Sequence, residues 1–197
     1  TPTPEYPILS GLVGSEMCIR DRPHSGHLAV ARAAKDSLGL DLVLLVVANQ
    51  PWQKVNDRKI TAASHRLAMT ELLVEHVDGI EASDIEIVRG GASYTFDTVE
   101  QLSKMDCESV LILGSDAAAE LDSWERATEL RALVEVAVVP RPGHVMPALK
   151  DWKIQLVNAE VVDISSSEIR AMSADDVDLD PRVPQAVRNY ISDNELI

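Results

Sequence analysis

The chain has few aromatic side chains for its 197 residues: three Trp, three Tyr and one Phe. Its core must therefore be assembled mainly from Val, Leu, Ile and Ala. It has only two cysteines, Cys18 and Cys107, too few for a disulfide framework and without the Cys/His spacing of a structural zinc site. A reducing compartment, the cytoplasm, is the expected location. Positive charge is scarce as well: 18 Lys and Arg stand against 32 Asp and Glu, a formal net charge of −14. Such a chain repels polyphosphate backbones and anionic bilayers, so neither nucleic acid nor membrane is an expected partner. The longest apolar run, Leu42–Ala48, is too short to cross a bilayer. The Ile8–Val13 stretch has no basic region ahead of it, so no signal peptide is expected.

What is present is ordinary globular material, 46% hydrophobic and 25% charged, in a length that suits one domain. Residues 1–22 stand apart, with Pro at 2, 4 and 7 and no strand or helix pattern. From His24 onward the pattern is regular. Leu28, Ala31, Ala34 and Leu38 form one stripe of a helix over His27–Leu38, and Asp41–Val47 reads as a strand covered on both faces. A helix over Ser64–Val77, capped by Ser64, is followed by a short strand at Ile85–Val88 and a break at Gly90-Gly91. Next come a helix over Thr95–Met105, a buried strand at Ser109–Leu113, a helix over Ser123–Leu133 and a strand at Val134–Val139. One more strand lies within Ile154–Val162, and short helices cover Ser166–Met172 and Pro184–Asn194. Strands alternating with helices imply βαβ units and a parallel sheet covered on both sides. Ligands in such folds sit at the carboxyl ends of the strands, beside helix N-termini.

Four places could carry chemistry. Pro23-His24-Ser25-Gly26-His27 directly precedes a helix. Two imidazoles three residues apart share one side of a first turn, Gly26 allows close approach to the backbone, and the free N–H groups and dipole of the helix start favour an anion. Two surface histidines in a loop is the plainer alternative. Ile164-Ser165-Ser166-Ser167-Glu168-Ile169-Arg170 combines a capped helix start with an arginine whose planar fork suits phosphate; a capped helix with a solvated Arg170 is the alternative. Ser93-Tyr94-Thr95-Phe96-Asp97-Thr98, after the glycine pair, can hold a ligand or simply start a helix. Gly114-Ser115-Asp116, at the end of a strand, suits ribose hydroxyls or forms a plain turn.

In this order the motifs resemble the nicotinate-nucleotide adenylyltransferases of the nucleotidyltransferase superfamily marked by His-x-Gly-His. The resemblance runs from about Asp21 to the C-terminus. It includes Asp21–His27, Ala48–Lys54 (Asn-x-Pro…Lys), Ser64–Met69, Ser93–Thr98, Leu113–Ala117, Leu121–Trp124, Val138–Gly143, Ile164–Arg170 and Val183–Ile191. His-x-Gly-His marks only the superfamily; Ser-Tyr-Thr-x-Asp-Thr with Asp-Ser-Trp narrows it to the nicotinate branch. The implied fold is α/β, a Rossmann-like open parallel sheet with helices on both faces. The implied reaction joins the adenylyl group of ATP to nicotinic acid mononucleotide, giving deamido-NAD and pyrophosphate.

The resemblance implies that His24 and His27 are catalytic and hold the ATP phosphates. It assigns Asp21, Gly26, Gly114, Asp116, Ser166, Ser167 and Arg170 to ATP. Lys54, Thr95, Trp124 and Arg141 go to the mononucleotide, with Trp124 stacking on the pyridine ring and backbone donors near Thr95 meeting its carboxylate. Mg2+ is expected with ATP, bound mainly through phosphate oxygens. No resident metal site is expected, and the acidic run Asp175–Asp180 reads as a solvated loop. A homo-oligomer is left open.

The match breaks before Asp21. The family's first strand leads into a Gly-Gly-(Thr or Ser)-Phe-Asp loop, of which only Asp21 is present, and Arg22 stands where the family usually has Pro. Residues 1–20 therefore read as a foreign or disordered segment and 21–197 as the nucleotidyltransferase domain, with the first strand missing or replaced. Two alternatives stay open: a sibling transferase acting on nicotinamide mononucleotide or phosphopantetheine, and a nucleotide binder made inactive by loss of the glycine loop.

Overall fold

A computed structural model describes residues 7–10, 22–51, 60–104, 108–141, 146, 149–159, 164, 166–172 and 174–196. Among the described residues six strands form the centre, parallel within each ladder: β1 (Pro7–Ser10), β2 (Leu42–Val46), β3 (Ile80–Ser83), β4 (Ser109–Gly114), β5 (Val134–Val139) and β6 (Ile154–Leu156). One ladder runs β1-β2-β3, with Leu9 opposite Leu44 and Val43 opposite Ile80. The other runs β4-β5-β6, with Leu111 opposite Val136 and Val136 opposite Ile154. β1 also lies alongside β4, so the strands follow the order 3-2-1-4-5-6. That is the doubly wound arrangement, whose crevice opens where the order reverses, between β1 and β4.

Nine helices flank the strands among the described residues: α1 (Ser25–Leu38), α2 (Ala63–Val74), α3 (Ile85–Arg89), α4 (Thr95–Ser103), α5 (Ser115–Ala118), α6 (Ala127–Leu133), α7 (Ser166–Ala171), α8 (Ala174–Leu179) and α9 (Gln185–Asp193). The period-2 alternation of the strands divides the core into two layers. Val43, Leu45, Ile112, Ala137 and Val139 face one layer, closed by Ala31, Ala34, Met69, Leu73, Val187 and Ile191 from helices. Val46, Leu111, Leu113, Val134, Val136 and Val138 face the other, closed by Phe96, Val99, Leu121, Trp124 and Leu130. Alanines 31 and 34 allow α1 to lie close on the sheet. Leu45, Leu111, Ile112 and Leu113 are fully buried, each contributing about 1.5–3 kcal/mol.

The expected α/β sandwich is present, with local differences. The first strand is not missing: Pro7–Ser10 fills its place beside β2, in a run of four residues too short to display a period. The strand expected at Ile85–Val88 is helix α3, and β3 lies five residues earlier. A four-residue apolar run does not separate strand from helix, and Glu86 in the first turn with Arg89 in the last complements a helix dipole. Helix α2 starts at Ala63 with Ala62, not Ser64, as its N-cap. The acidic run is not a loop: α8 covers Ala174–Leu179, where Val177 is buried in the core.

Arg22 does work that proline could not. It is buried; its guanidinium donates to Thr61 Oγ1 at 2.7 Å and to the Leu196 carbonyl, and its own carbonyl accepts the Ser166 hydroxyl at 2.9 Å. One residue thus joins the approach to α1, the approach to α2, the start of α7 and the C-terminal segment. Charge-assisted hydrogen bonds of this kind contribute about 1.5–3 kcal/mol. Arg22→Ala is expected to lower the unfolding free energy by about 2 kcal/mol in denaturant titration. A double-mutant cycle with Thr61→Val should show coupling; strict additivity would mean that the pair does not stabilise the fold.

Candidate active site

The crevice between β1 and β4 receives the segment before α1 on one side and the β4–α5 turn on the other. His24 is the N-cap residue of α1, in extended conformation, and its backbone N–H donates to His27 Nδ1 at 3.2 Å. The two rings lie 3.8 Å apart, tilted by 42°. Both side chains are fully buried. Because His27 Nδ1 accepts, neutral His27 carries its proton on Nε2. His27 Nε2 and His24 Nε2 are buried without hydrogen-bond partners among the described residues. Such atoms in a native fold call for an explanation.

Burial, first, and the nearby Arg141 guanidinium push the His27 imidazole down to about 3. His24 is driven strongly downward, first by burial and then by His27, Arg141 and Arg182. Both rings are thus neutral donors at neutral pH. Gly26 is required by this packing: a Cβ there would meet the His24 ring at 3.0 Å.

The β4 side completes the cluster. Gly114 ends β4 and α5 begins at Ser115, as the Gly-Ser-Asp sequence suggested. The Arg141 backbone N–H donates to Ser115 Oγ at 3.0 Å, and its guanidinium donates to Asp116 Oδ2 at 3.3 Å. Asp116 Oδ1 is buried with no hydrogen-bond partner among the described residues. A Cβ on Gly114 would lie 2.6 Å from that oxygen and 3.2 Å from Arg141 Nε, so only glycine leaves room for this pair. On the far side, Ser25 N–H donates to the Arg182 carbonyl at 2.9 Å. Arg182 donates to both oxygens of buried Asp180, and this hydrogen bonding, opposed by burial, holds the Asp180 carboxyl below the usual carboxylate range. Arg182 did not stand out in the sequence, because it lies within no spacing that suggests chemistry.

His24, Gly26, His27, Gly114, Asp116 and Arg141 therefore converge, and Ser166 reaches them through the Arg22 carbonyl. Arg170 lies in the last turn of the six-residue helix α7. Asp21, Lys54 and the Ser167 side chain lie outside the described residues. Thr95 and Trp124 belong to a second group. Thr95 opens α4 with its Oγ1 buried and unpartnered among the described residues. Trp124 is not in a helix: it follows a 3₁₀ turn at Leu121–Ser123, and α6 starts three residues later at Ala127. Its indole is 7% exposed within the apolar layer, so its unpartnered Nε1–H, rather than an open ring face, is what it offers a ligand. Arg126, at φ 55°, places its guanidinium 3.6 Å above the Phe96 ring, tying this turn to α4.

The histidine pair sets a pH dependence. Above about pH 6.5, the ordinary imidazole value, both folded and unfolded chains hold these rings neutral. Below it the unfolded chain takes up protons that the folded chain refuses, so stability falls as pH drops from about 6.5 towards 3. Each ring contributes a slope of about 1.4 kcal/mol per pH unit. Between pH 7 and pH 5.5 the chain should lose about 2 kcal/mol more than a His24→Gln, His27→Gln variant, measured by denaturant unfolding. Parallel curves would show that the rings are solvated.

Comparison with known proteins agrees with this geometry. The cytidylyltransferase-like family matches residues 21–172. A protein of Salinibacter ruber named probable nicotinate-nucleotide adenylyltransferase is 36% identical over 88% of this chain and 91% of its own length. One of the same name from Corynebacterium glutamicum is 33% identical over 89% of this chain and 84% of its own. The Plasmodium falciparum nicotinic acid mononucleotide adenylyltransferase complexed with NaAD shares the fold, with a TM-score of 0.76 over 96% of this chain and 95% of that one, at 19% identity. Motif order, crevice and relatives agree that the chain belongs to the nicotinate-nucleotide adenylyltransferases, within the cytidylyltransferase-like family.

Proposed function

We infer that the chain transfers the adenylyl group of ATP to nicotinic acid mononucleotide, releasing pyrophosphate and forming deamido-NAD, a step of NAD biosynthesis. The observation that carries this reading is the pair of buried, neutral imidazoles with unpartnered ring nitrogens at the start of α1, beside Arg141. A mononucleotide phosphate oxygen attacks the ATP α-phosphorus in line. The bond from that phosphorus to the bridging oxygen breaks, and its electron pair leaves with pyrophosphate. No covalent enzyme intermediate is needed, and the protein contributes position and charge stabilisation.

His27 donates from Nε2 to phosphate oxygens whose charge grows as pyrophosphate departs, and His24 donates beside it. The α1 N-terminus adds backbone donors around Gly26. Asp116 turns its unpartnered Oδ1 to the nucleotide ribose next to Gly114, and Arg141 exchanges its bond to Asp116 for the mononucleotide phosphate. Ser166, Ser167 and Arg170 take the triphosphate side, with Asp21 and Lys54 as further contacts. Thr95 and the α4 N-terminus receive the nicotinate carboxylate, with the Trp124 Nε1–H edge nearby.

Mg2+ suits this arrangement as a companion of ATP. Such an ion takes most of its ligands from phosphates and water. Bound there, it would neutralise phosphate charge.

Pyrophosphate release measured with each mononucleotide tests the reading. The acid form should exceed the amide in kcat/KM by at least about tenfold, or 1.4 kcal/mol, because donors set for a carboxylate are left partly unpaired by an amide. Equal values would assign the chain to a sibling transferase, and nucleotide binding without release to an inactive binder. His27→Ala should lower kcat by about 10²-fold while ATP affinity changes little. Loss of ATP affinity with kcat intact would make His27 a ground-state contact only.

A further inference from the structure

The short helix α3 carries a charged pair that the reaction above does not use. Glu86 is 3% exposed, a burial that is costly for a carboxylate unless its oxygens are bonded. The Thr98 hydroxyl on α4 lies 2.6 Å from Glu86 Oε1 and 2.9 Å from an Arg89 guanidinium nitrogen. Arg89 also approaches Glu86 Oε1 directly at 3.8 Å. The direction of these bonds is forced: a guanidinium only donates and a carboxylate only accepts, so Thr98 gives its proton to Glu86 and receives from Arg89. The hydroxyl is a wedge between acid and base.

Between Arg89 and the start of α4 lie five residues, Gly90 to Tyr94. Both glycines hold positive φ, 74° and 71°, which other residues rarely adopt. The opposite side of this loop is tied to the end of β2. Asn49 donates from its backbone to Ser93 Oγ at 2.8 Å and from its side chain to the Gly91 carbonyl at 2.9 Å. Ser93 N–H donates to the Gln50 carbonyl at 3.0 Å. The loop is therefore clamped to α3 and α4 at one side and to β2 at the other, and the element it delivers is the first turn of α4 with its buried, partnerless Thr95 Oγ1. An apolar trio in place of a buried ionic one is often neutral or stabilising, so the network's contribution lies in geometry.

We propose that Glu86, Thr98 and Arg89 are positioning residues that fix the first turn of α4 for selection of the acid mononucleotide over its amide. This rests on the reading that the α4 start receives the nicotinate group. Arg89 sets the end of α3, Thr98 sets the rotation of α4, and Glu86 locks both.

The test is the ratio of kcat/KM for acid and amide mononucleotides in Thr98→Val and Thr98→Ser, with ATP affinity and thermal stability measured in parallel. Thr98→Val, which loses both bonds, should cut the acid preference about tenfold while ATP affinity stays within about twofold. Thr98→Ser, which keeps the hydroxyl, should restore the preference. A Thr98→Val variant with lower thermal stability and an unchanged ratio overturns the proposal, because a merely structural bond would act so. Should that variant fail to fold, Glu86→Gln carries the same measurement, with the same two outcomes. A wild-type chain without acid preference overturns the nicotinate reading and this proposal together. A wild-type preference retained in every variant overturns the positioning network alone.

Discussion

A single hydrogen bond, from the His24 backbone to His27 Nδ1, determines the chemistry available at the start of α1. It answers one of the backbone donors that a helix start leaves open. It also selects the tautomer of His27 and directs the remaining N–H outward from that bond. Burial then keeps the ring neutral. A protonated His27 would lose its Nδ1 lone pair, and with it the acceptor for the His24 N–H. Local helix capping and the electrostatic state of the site are therefore one constraint.

The rest of the fold delivers partners to that point. Parallel strands in the order 3-2-1-4-5-6 leave a crevice between β1 and β4, and the two connections leaving those strands supply the histidines and the Gly114–Asp116 turn. Arg141, just beyond β5, completes the cluster from the next strand. In a chain of net charge −14, affinity for anionic substrates depends on such local concentration of donors, because the overall field opposes it. Arg22 and the Arg182 carbonyl tie the same helix start to the C-terminal segment. The C-terminal segment, distant in sequence, thereby shares in holding the start of α1.

The parts of this architecture legible in the sequence are those with repeated signals. Asp41–Val47 and Ser109–Leu113 are apolar runs rich in Val, Leu and Ile, as strands covered on both faces are, and Ala31 and Ala34 repeat at helical spacing. His24, His27, Gly114 and Asp116 stand at strand-to-helix junctions, where backbone geometry follows from local sequence. Two short elements were not legible. Pro7–Ser10 and Ile85–Arg89 are too brief for a period; the first is fixed by pairing with β2 and the second by its Glu86 and Arg89 bonds to Thr98 of α4. Trp124 as a helical residue was a failure of the same kind: a 3₁₀ turn and the left-handed Arg126 interrupt what looks like a continuous helix. Long-range polar contacts were invisible for a different reason. Arg22 to Leu196 and Glu86 to Thr98 join residues whose separation carries no pattern, so only the folded chain brings them together.

The neutral, tautomerically fixed histidine pair is tested most directly by 15N NMR of the imidazole nitrogens, with the ligand-free chain titrated from pH 7.5 to 5. His27 should retain a bare Nδ1 and a protonated Nε2 throughout, and neither His24 nor His27 should titrate in that range. Both rings titrating near the ordinary imidazole value of about 6.5, or a proton on His27 Nδ1, would contradict it.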